Sequence, residues 1–410
     1  MSIGTLGKQE FSAEQAAKAA ANVPKEPAGL PDINPALLQV EPLKNPKTPL
    51  PANELVFGKT FTDHMLMVEW SRETGWAAPL IKEYGPLSLD PSSSVFHYAF
   101  CLFEGMKAYR GEDGTIRLFR PDMNMARMNR SAARIALPEF DPDALIELIK
   151  KLVMLDAKWI PSEPGYSLYL RPTMIGTQNS LGVGASGTAL LYVIASPVGP
   201  YYATGFKAIS LRATSEFIRA APGGTGGFKL GANYSPAIVP QVEAAKEGYA
   251  QNLWLHGEEH ELTEVGTMNL FVVIDRTEED GTTEMVTPPL QDLILPGVTR
   301  DSILTIARDH VAGKVHVDGL PANGLVVSER KMTMPELAAL ARQGKIKEVF
   351  GAGTAAIVTS VDNIGYLGKN IPIPCEADGL GPIAKAMLGR IQGIQTGKIP
   401  HEWSVVAGRV

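Results

Sequence analysis

The chain has 410 residues, 45% of them apolar and 20% charged, and a formal charge of -6 at neutral pH. That length allows two domains with cores of their own, and the acidic balance speaks against a nucleic-acid binder, whose footprint is basic. No run reaches the roughly 20 apolar residues that span a bilayer. Two cysteines, Cys101 and Cys375, allow at most one disulfide, a usage that suits a reducing compartment. No set of four Cys and His ligands stands at zinc-site spacing, so no zinc site is expected.

The first 29 residues carry no apolar core for a secretory signal. Glu10 and Glu14 come early and the first arginine is Arg72, unlike an Arg-rich, acid-poor transit peptide. A cytoplasmic protein is expected, with a mitochondrial one as the alternative. Eight prolines between Pro24 and Pro51 make residues 1–52 an extended arm. Ordered structure is expected from about Leu55, where "LVFGKTFTDHMLMVEW" alternates like a strand. "SSSVFHYAFCLFEGMKAY" reads as a short helix leading into a strand, and "GEDG" is a hairpin turn between β-like runs. Helices are predicted in "RPDMNMARMNRSAARIAL", where Pro121 suits a first turn, and in "DPDALIELIKKLVMLDAKWI". "YSLYLRPTMIG" is a strand, "TQNSLGVGASG" a glycine-rich connector and "TALLYVIASPVG" another strand. Further on, β-like runs ("FKAISLRA", "QNLWLHG", "HELTEV", "NLFVVI") interleave with four helical segments. This mixture predicts an α+β protein. Its parts are the arm, a small domain at 53–177, a connecting loop at 178–188 and a large domain at 189–410.

Several stretches carry chemistry. "GVGASG", Gly182 to Gly187, has the letters of a dinucleotide fingerprint, but it precedes a β-like run instead of opening a helix, so a plain loop is the better reading. In "LPGVTRDSILTIA" a loop turns into a helix at Gly297, Val298 and Thr299. Free N–H groups at such an end can hold an anion; an ordinary capped helix is the alternative. "EVFGAGTAAIV" is a second glycine turn, with a hydroxyl at Thr354. Arg127, Arg130 and Arg134 share a helix face, either solvated or gripping a phosphate. Lys229 stands alone in "APGGTGGFKLGANYSP", where five of the eleven residues from Gly223 to Asn233 are glycine. A nucleophilic lysine needs its amine partly neutral, which burial provides, and glycines let the backbone pass close to a flat ligand. Tyr234 offers a phenol in the same loop, and "ELTEVGTMN" offers Glu264 and Thr267. A lysine for a Schiff base, an acid for a ring nitrogen and a phosphate cup are what a pyridine-ring cofactor requires.

These motifs resemble the branched-chain amino acid aminotransferases of the eukaryotic type, within the fold-type-IV pyridoxal phosphate enzymes. The resemblance runs through "FGKTFTDHMLMVEW", "FHYAFCLFEGMKAYRG", "RLFRPDMNMARM", "SLYLRP", "GGFKLGANYSP", "LTEVGTMN", "ILPGVTR", "VFGAGTAA" and "HEW", from Phe57 to Trp403. It implies a two-domain fold with the site between the domains, a homodimer, and a reaction with no nucleic acid or membrane partner. Lys229 would be the catalytic residue. Arg127, Tyr234, Glu264, Val298, Thr299 and Thr354 would join it in holding pyridoxal 5'-phosphate. Phe57, Tyr98, Tyr169, Arg171, Val183, Thr267 and Ala355 would bind substrate. The implied activity is reversible ping-pong transfer of the amino group from L-leucine, L-isoleucine or L-valine to 2-oxoglutarate. Animal members often carry a Cys-x-x-Cys pair after the "GTA" turn; here Ala356 and Thr359 stand there. A D-amino acid aminotransferase or aminodeoxychorismate lyase of the same fold is the nearer rival, and a non-catalytic phosphate-binding protein the more distant one.

Overall fold

The computed structural model describes residues 29–200 and 207–410. The expected arm falls partly outside them, at residues 1–28. Residues 29–51 run extended along the first sheet, with a short 3-10 turn at Pro35–Leu37 and a two-residue strand, and a second 3-10 turn follows at Ala52–Glu54. Ile33 is buried in the sheet's core.

The first sheet holds β1 (Gln39–Val40), β2 (His64–Ser71), β3 (Gly75–Trp76), β4 (Leu80–Glu83), β5 (Cys101–Phe103), β6 (Met106–Arg110), β7 (Thr115–Phe119), β8 (Ser167–Gly176) and β9 (Thr188–Val198). The last strand of the chain, β19 (Ser404–Arg409), returns to pair with β7. The "GEDG" turn joins β6 to β7 as expected. Three helices belong to this half: α1 (Ser94–Tyr98), α2 (Pro121–Arg134) and α3 (Pro142–Leu155). In α3 the Asp141 side chain accepts from Asp143 N and caps the start. Its buried Leu145, Ile149 and Leu152 recur at helical spacing and fill the core under the sheet.

The second sheet holds β10 (Ile209–Thr214), β11 (Gln251–His256), β12 (Glu261–Val265), β13 (Met268–Arg276), β14 (Thr282–Thr287), β15 (Leu325–Glu329), β16 (Ile346–Gly353), β17 (Ile357–Tyr366) and β18 (Lys369–Pro372). Order β12-β11-β10-β17-β16-β13, with β12 also pairing β13, closes a ring of strands. Leu211, Leu253, Val265, Leu270, Val349 and Val361 fill its interior. Parallel pairs need crossovers. Helix α4 (Ile238–Lys246) lies in the crossover from β10 to β11 and α5 (Val298–Val311) in that from β14 to β15. Helices α6 (Met334–Arg342) and α7 (Pro382–Gln395) complete the half.

The connector 178–188 leads from β8 to β9 within the first sheet, so β9, which the sequence reading gave to the large domain, is bonded to β8 and β2. The chain reaches the second ring only after residues 201–206, which lie outside the described set. The reason is length: β8 pairs with β9 over ten residues from Ser167 to Gly176, and eleven connector residues form only a hairpin loop.

Candidate active site

Lys229 sits where the two sheets meet. Its carbonyl accepts from Phe103 N, Leu230 bridges Leu102 of β5, and its own N–H donates to Ser131 Oγ on α2 at 2.9 Å. Asn233 ties the glycine loop together by donating to the carbonyls of Thr225 and Phe228. The Lys229 amine donates to the Tyr234 hydroxyl at 3.1 Å and lies 4.9 Å from the centre of the Phe103 ring. Burial draws the amine down to a pKa of about 8, with Arg127 pushing the same way and Glu104 opposing. Burial pushes the Tyr234 phenol up to about 12, helped by the charge of Glu264.

Glu264 is on β12, whose neighbour Val265 points into the ring interior, so Glu264 faces outward toward the lysine loop. It is 2% exposed. Oε1 accepts from Asn269 Nδ2 and Leu295 N, both at 3.0 Å, and Oε2 meets Arg219 Nη2 at 2.6 Å. Burial raises its carboxyl, against the pull of Arg219 and the Leu295 N–H.

Val298 and Thr299 form the first turn of α5, whose N-cap Gly297 supplies no side-chain cap. Thr354 lies in the turn between β16 and β17 and lines a small cavity with Val298, Thr299, Asn124 and Lys107. Lys107 is 7% exposed, donates to Ala355 O at 2.7 Å, and pairs with no carboxylate among the described residues. Burial lowers its pKa to about 8. An uncapped helix start, a hydroxyl and a buried ammonium without a counter-ion suit a phosphate. Of the three arginines predicted to share a face, Arg127 is buried and forks onto Glu104. Arg130 donates to Gly227 O and lies over Phe228, as does Arg134.

The side-chain wall is built from Phe57, edge-on to Tyr169 at 5.0 Å, then Arg171, which donates to the Tyr169 hydroxyl at 3.1 Å and lies 4.7 Å over Phe103. Gly105 has to be glycine, because a Cβ there would come 2.1 Å from the Tyr169 hydroxyl. The structure does not bring Tyr98 and Val183 to this wall. Val183 is 80% exposed on the connector, and the Tyr98 hydroxyl donates to the neighbouring Leu181 carbonyl. Thr267 is exposed in the β12–β13 turn. Sequence reasoning missed Phe103, Glu104, Lys107 and Arg219. The signal available for Glu104 was one acid in the apolar run "AFCLFEGM". Cys101 is half-buried, with Sγ against Gly231 of the lysine loop.

A family model described as amino-transferase class IV matches residues 101–364. The chain belongs to the class IV aminotransferase family. The aminotransferase is 52% identical over 374 residues to the mitochondrial branched-chain-amino-acid aminotransferase of Saccharomyces cerevisiae, covering 91% of this chain and 93% of that one. To the cytosolic enzyme of the same yeast it is 51% identical, covering 92% and 98%. Its fold matches the solved T.th. branched-chain amino acid aminotransferase in complex with N-(5'-phosphopyridoxyl)-L-glutamate, with a TM-score of 0.63 and 26% identity, covering 83% of this chain and 98% of that one. The α+β architecture of this aminotransferase is therefore the fold-type-IV one.

Proposed function

We propose that this aminotransferase exchanges amino groups between branched-chain L-amino acids and 2-oxoglutarate, with pyridoxal phosphate as cofactor. One observation carries the reading. The buried Lys229 amine faces an aromatic wall that also holds Arg171, a cation with no carboxylate partner among the described residues. Such a wall suits a branched apolar chain, and its guanidinium can donate to the distal carboxylate of glutamate.

Bound, pyridoxal phosphate supplies a carbonyl for amine exchange and a ring that takes up the electron pair left at the substrate Cα. The chain's own residues do the rest. Lys229, with its lowered pKa, moves a proton to and from Cα. Glu264 would keep a proton on the ring nitrogen, and Tyr234 would donate to the ring's phenolic oxygen. Val298 and Thr299 offer the N-terminus of α5, joined by Thr354 and Arg127, to the phosphate. Thr267 and Ala355 would lie by the substrate carboxylate. Tyr98 and Val183 belong to an exposed apolar surface with Phe96 and Leu181, which a second copy of the chain would cover in a homodimer. The test is a transamination assay with L-leucine, L-isoleucine, L-valine and D-alanine, each against 2-oxoglutarate. Turnover with the three L-amino acids and none with D-alanine is expected. Turnover with D-alanine alone would replace this reading with the D-specific one.

A further inference from the structure

Glu104 is 0% exposed, in the turn between β5 and β6. An isolated carboxylate at such depth would be costly, yet this one is fully engaged. Oε1 accepts from Arg127 Nε and Oε2 from Arg127 Nη2, each at 2.8 Å, a two-pronged match of planar groups. Asn124 Nδ2 donates to Oε2 at 2.8 Å, and Gly105 N at 3.2 Å. The other end of the guanidinium, Nη1, donates to Pro296 O at 3.0 Å, one residue before the N-cap of α5. Arg127 is thus held at both ends. Its charge keeps the Glu104 carboxyl below the usual range, although burial works the other way.

We propose that Glu104 is a positioning residue: by gripping the Nε and Nη2 edge of Arg127 it fixes the guanidinium against the start of α5 and so sets how tightly the phosphate of the cofactor is held. The inference rests on the reading of Arg127 as a phosphate ligand. A free arginine side chain would lose rotamer entropy on gripping the anion, whereas here the ordering is done beforehand. Glu104 also costs something, since its negative charge lies near the same phosphate. The fork must therefore contribute more by orientation than the charge takes away.

The experiment titrates the apoprotein with pyridoxal phosphate and, separately, with pyridoxal, which lacks the phosphate. In Glu104→Gln the amide can keep only part of the fork. The dissociation constant for pyridoxal phosphate should rise about tenfold or more while that for pyridoxal stays the same. An unchanged or tighter pyridoxal phosphate constant would overturn the proposal, and so would equal weakening of both ligands, which marks a general loss of structure. If Glu104→Gln does not yield folded protein, Glu104→Asp decides on the same two titrations. One methylene shorter, it cannot span the fork, and a selective loss of at least about threefold is expected. Arg127→Ala separates the two readings. If it too leaves pyridoxal phosphate binding untouched, the phosphate role of Arg127 has failed; if it weakens binding and Glu104→Gln does not, only the role of Glu104 has failed.

Discussion

Burial draws the Lys229 amine to a pKa of about 8, and burial likewise raises the pKa of its partner Tyr234 and of Glu264. No other amine among the described residues hydrogen-bonds Tyr234. Lys229→Ala should therefore abolish turnover and the absorbance above about 400 nm that a lysine-bound pyridoxal phosphate gives; a visible spectrum and a transamination assay read both. Arg219 is the cation that lets Glu264 stay charged inside the protein, at 2.6 Å. Arg219→Met leaves that carboxylate without its counter-ion, which costs on the order of 3 kcal/mol when the group is ionised. The carboxyl already sits above its ordinary 4.5, and the variant raises it further. A carboxyl whose folded pKa lies above the unfolded one loses stability as pH rises through that range. The variant's deficit should therefore be larger at pH 8 than at pH 5 by chemical denaturation. In the proposed function the ionised form is the one that would hold the ring proton, so the acid limb of its pH–rate profile should also move upward.

At the scale of elements, the start of α5 shows how local sequence and tertiary packing divide the work. The "LPGVTR" turn places Gly297 at the N-cap with an ordinary extended backbone, φ -69°. The glycine is required by space: a Cβ would approach Asn269 Oδ1 to 2.0 Å. That asparagine donates to Glu264 Oε1 and Leu295 O. Gly297→Ala must displace Asn269 and strip one bond from Glu264, at about 1–3 kcal/mol. A thermal scan of the apoprotein should show the loss, and cofactor affinity should fall with it because the N–H groups of the first turn move. The neighbouring α2 works on the other side of the site. Pro121 at its first turn and Asp122 behind it set the helix start. One turn after another it then brings Asn124, Arg127 and Ser131 to Glu104 and the lysine loop.

Across the whole molecule, the two halves are bound together by the chain's end. Strand β19 crosses back to β7, and Trp403 lies 4.2 Å over the guanidinium of Arg120. Arg120 in turn reaches Asp301 and Ser302 in the first turns of α5. Trp403→Ala removes this ring from between the halves. A loss of about 2–3 kcal/mol is expected from packing and cation–π contact, read as a lower denaturation midpoint. Much of the molecule was legible from residue order alone: the helices α2 and α3, the loop that turns into α5 at Gly297, the "GEDG" hairpin, and the candidate lysine, tyrosine and glutamate that the structure brings near one another. Those signals are local, since helical period, turn chemistry and a lone cation among glycines depend only on near neighbours. The tertiary structure alone decided that β9 and β19 belong to the first sheet, that six strands close a ring, and that Tyr98 and Val183 stand apart from Lys229. It alone decided too that Glu104, Lys107 and Arg219 surround the site. Strand partnership and ion pairing join residues far apart in sequence, as in the 45 positions between Arg219 and Glu264, or the 248 between Lys107 and Ala355. The energy that selects them comes from burial and pairing, which exist only once the chain has closed around them.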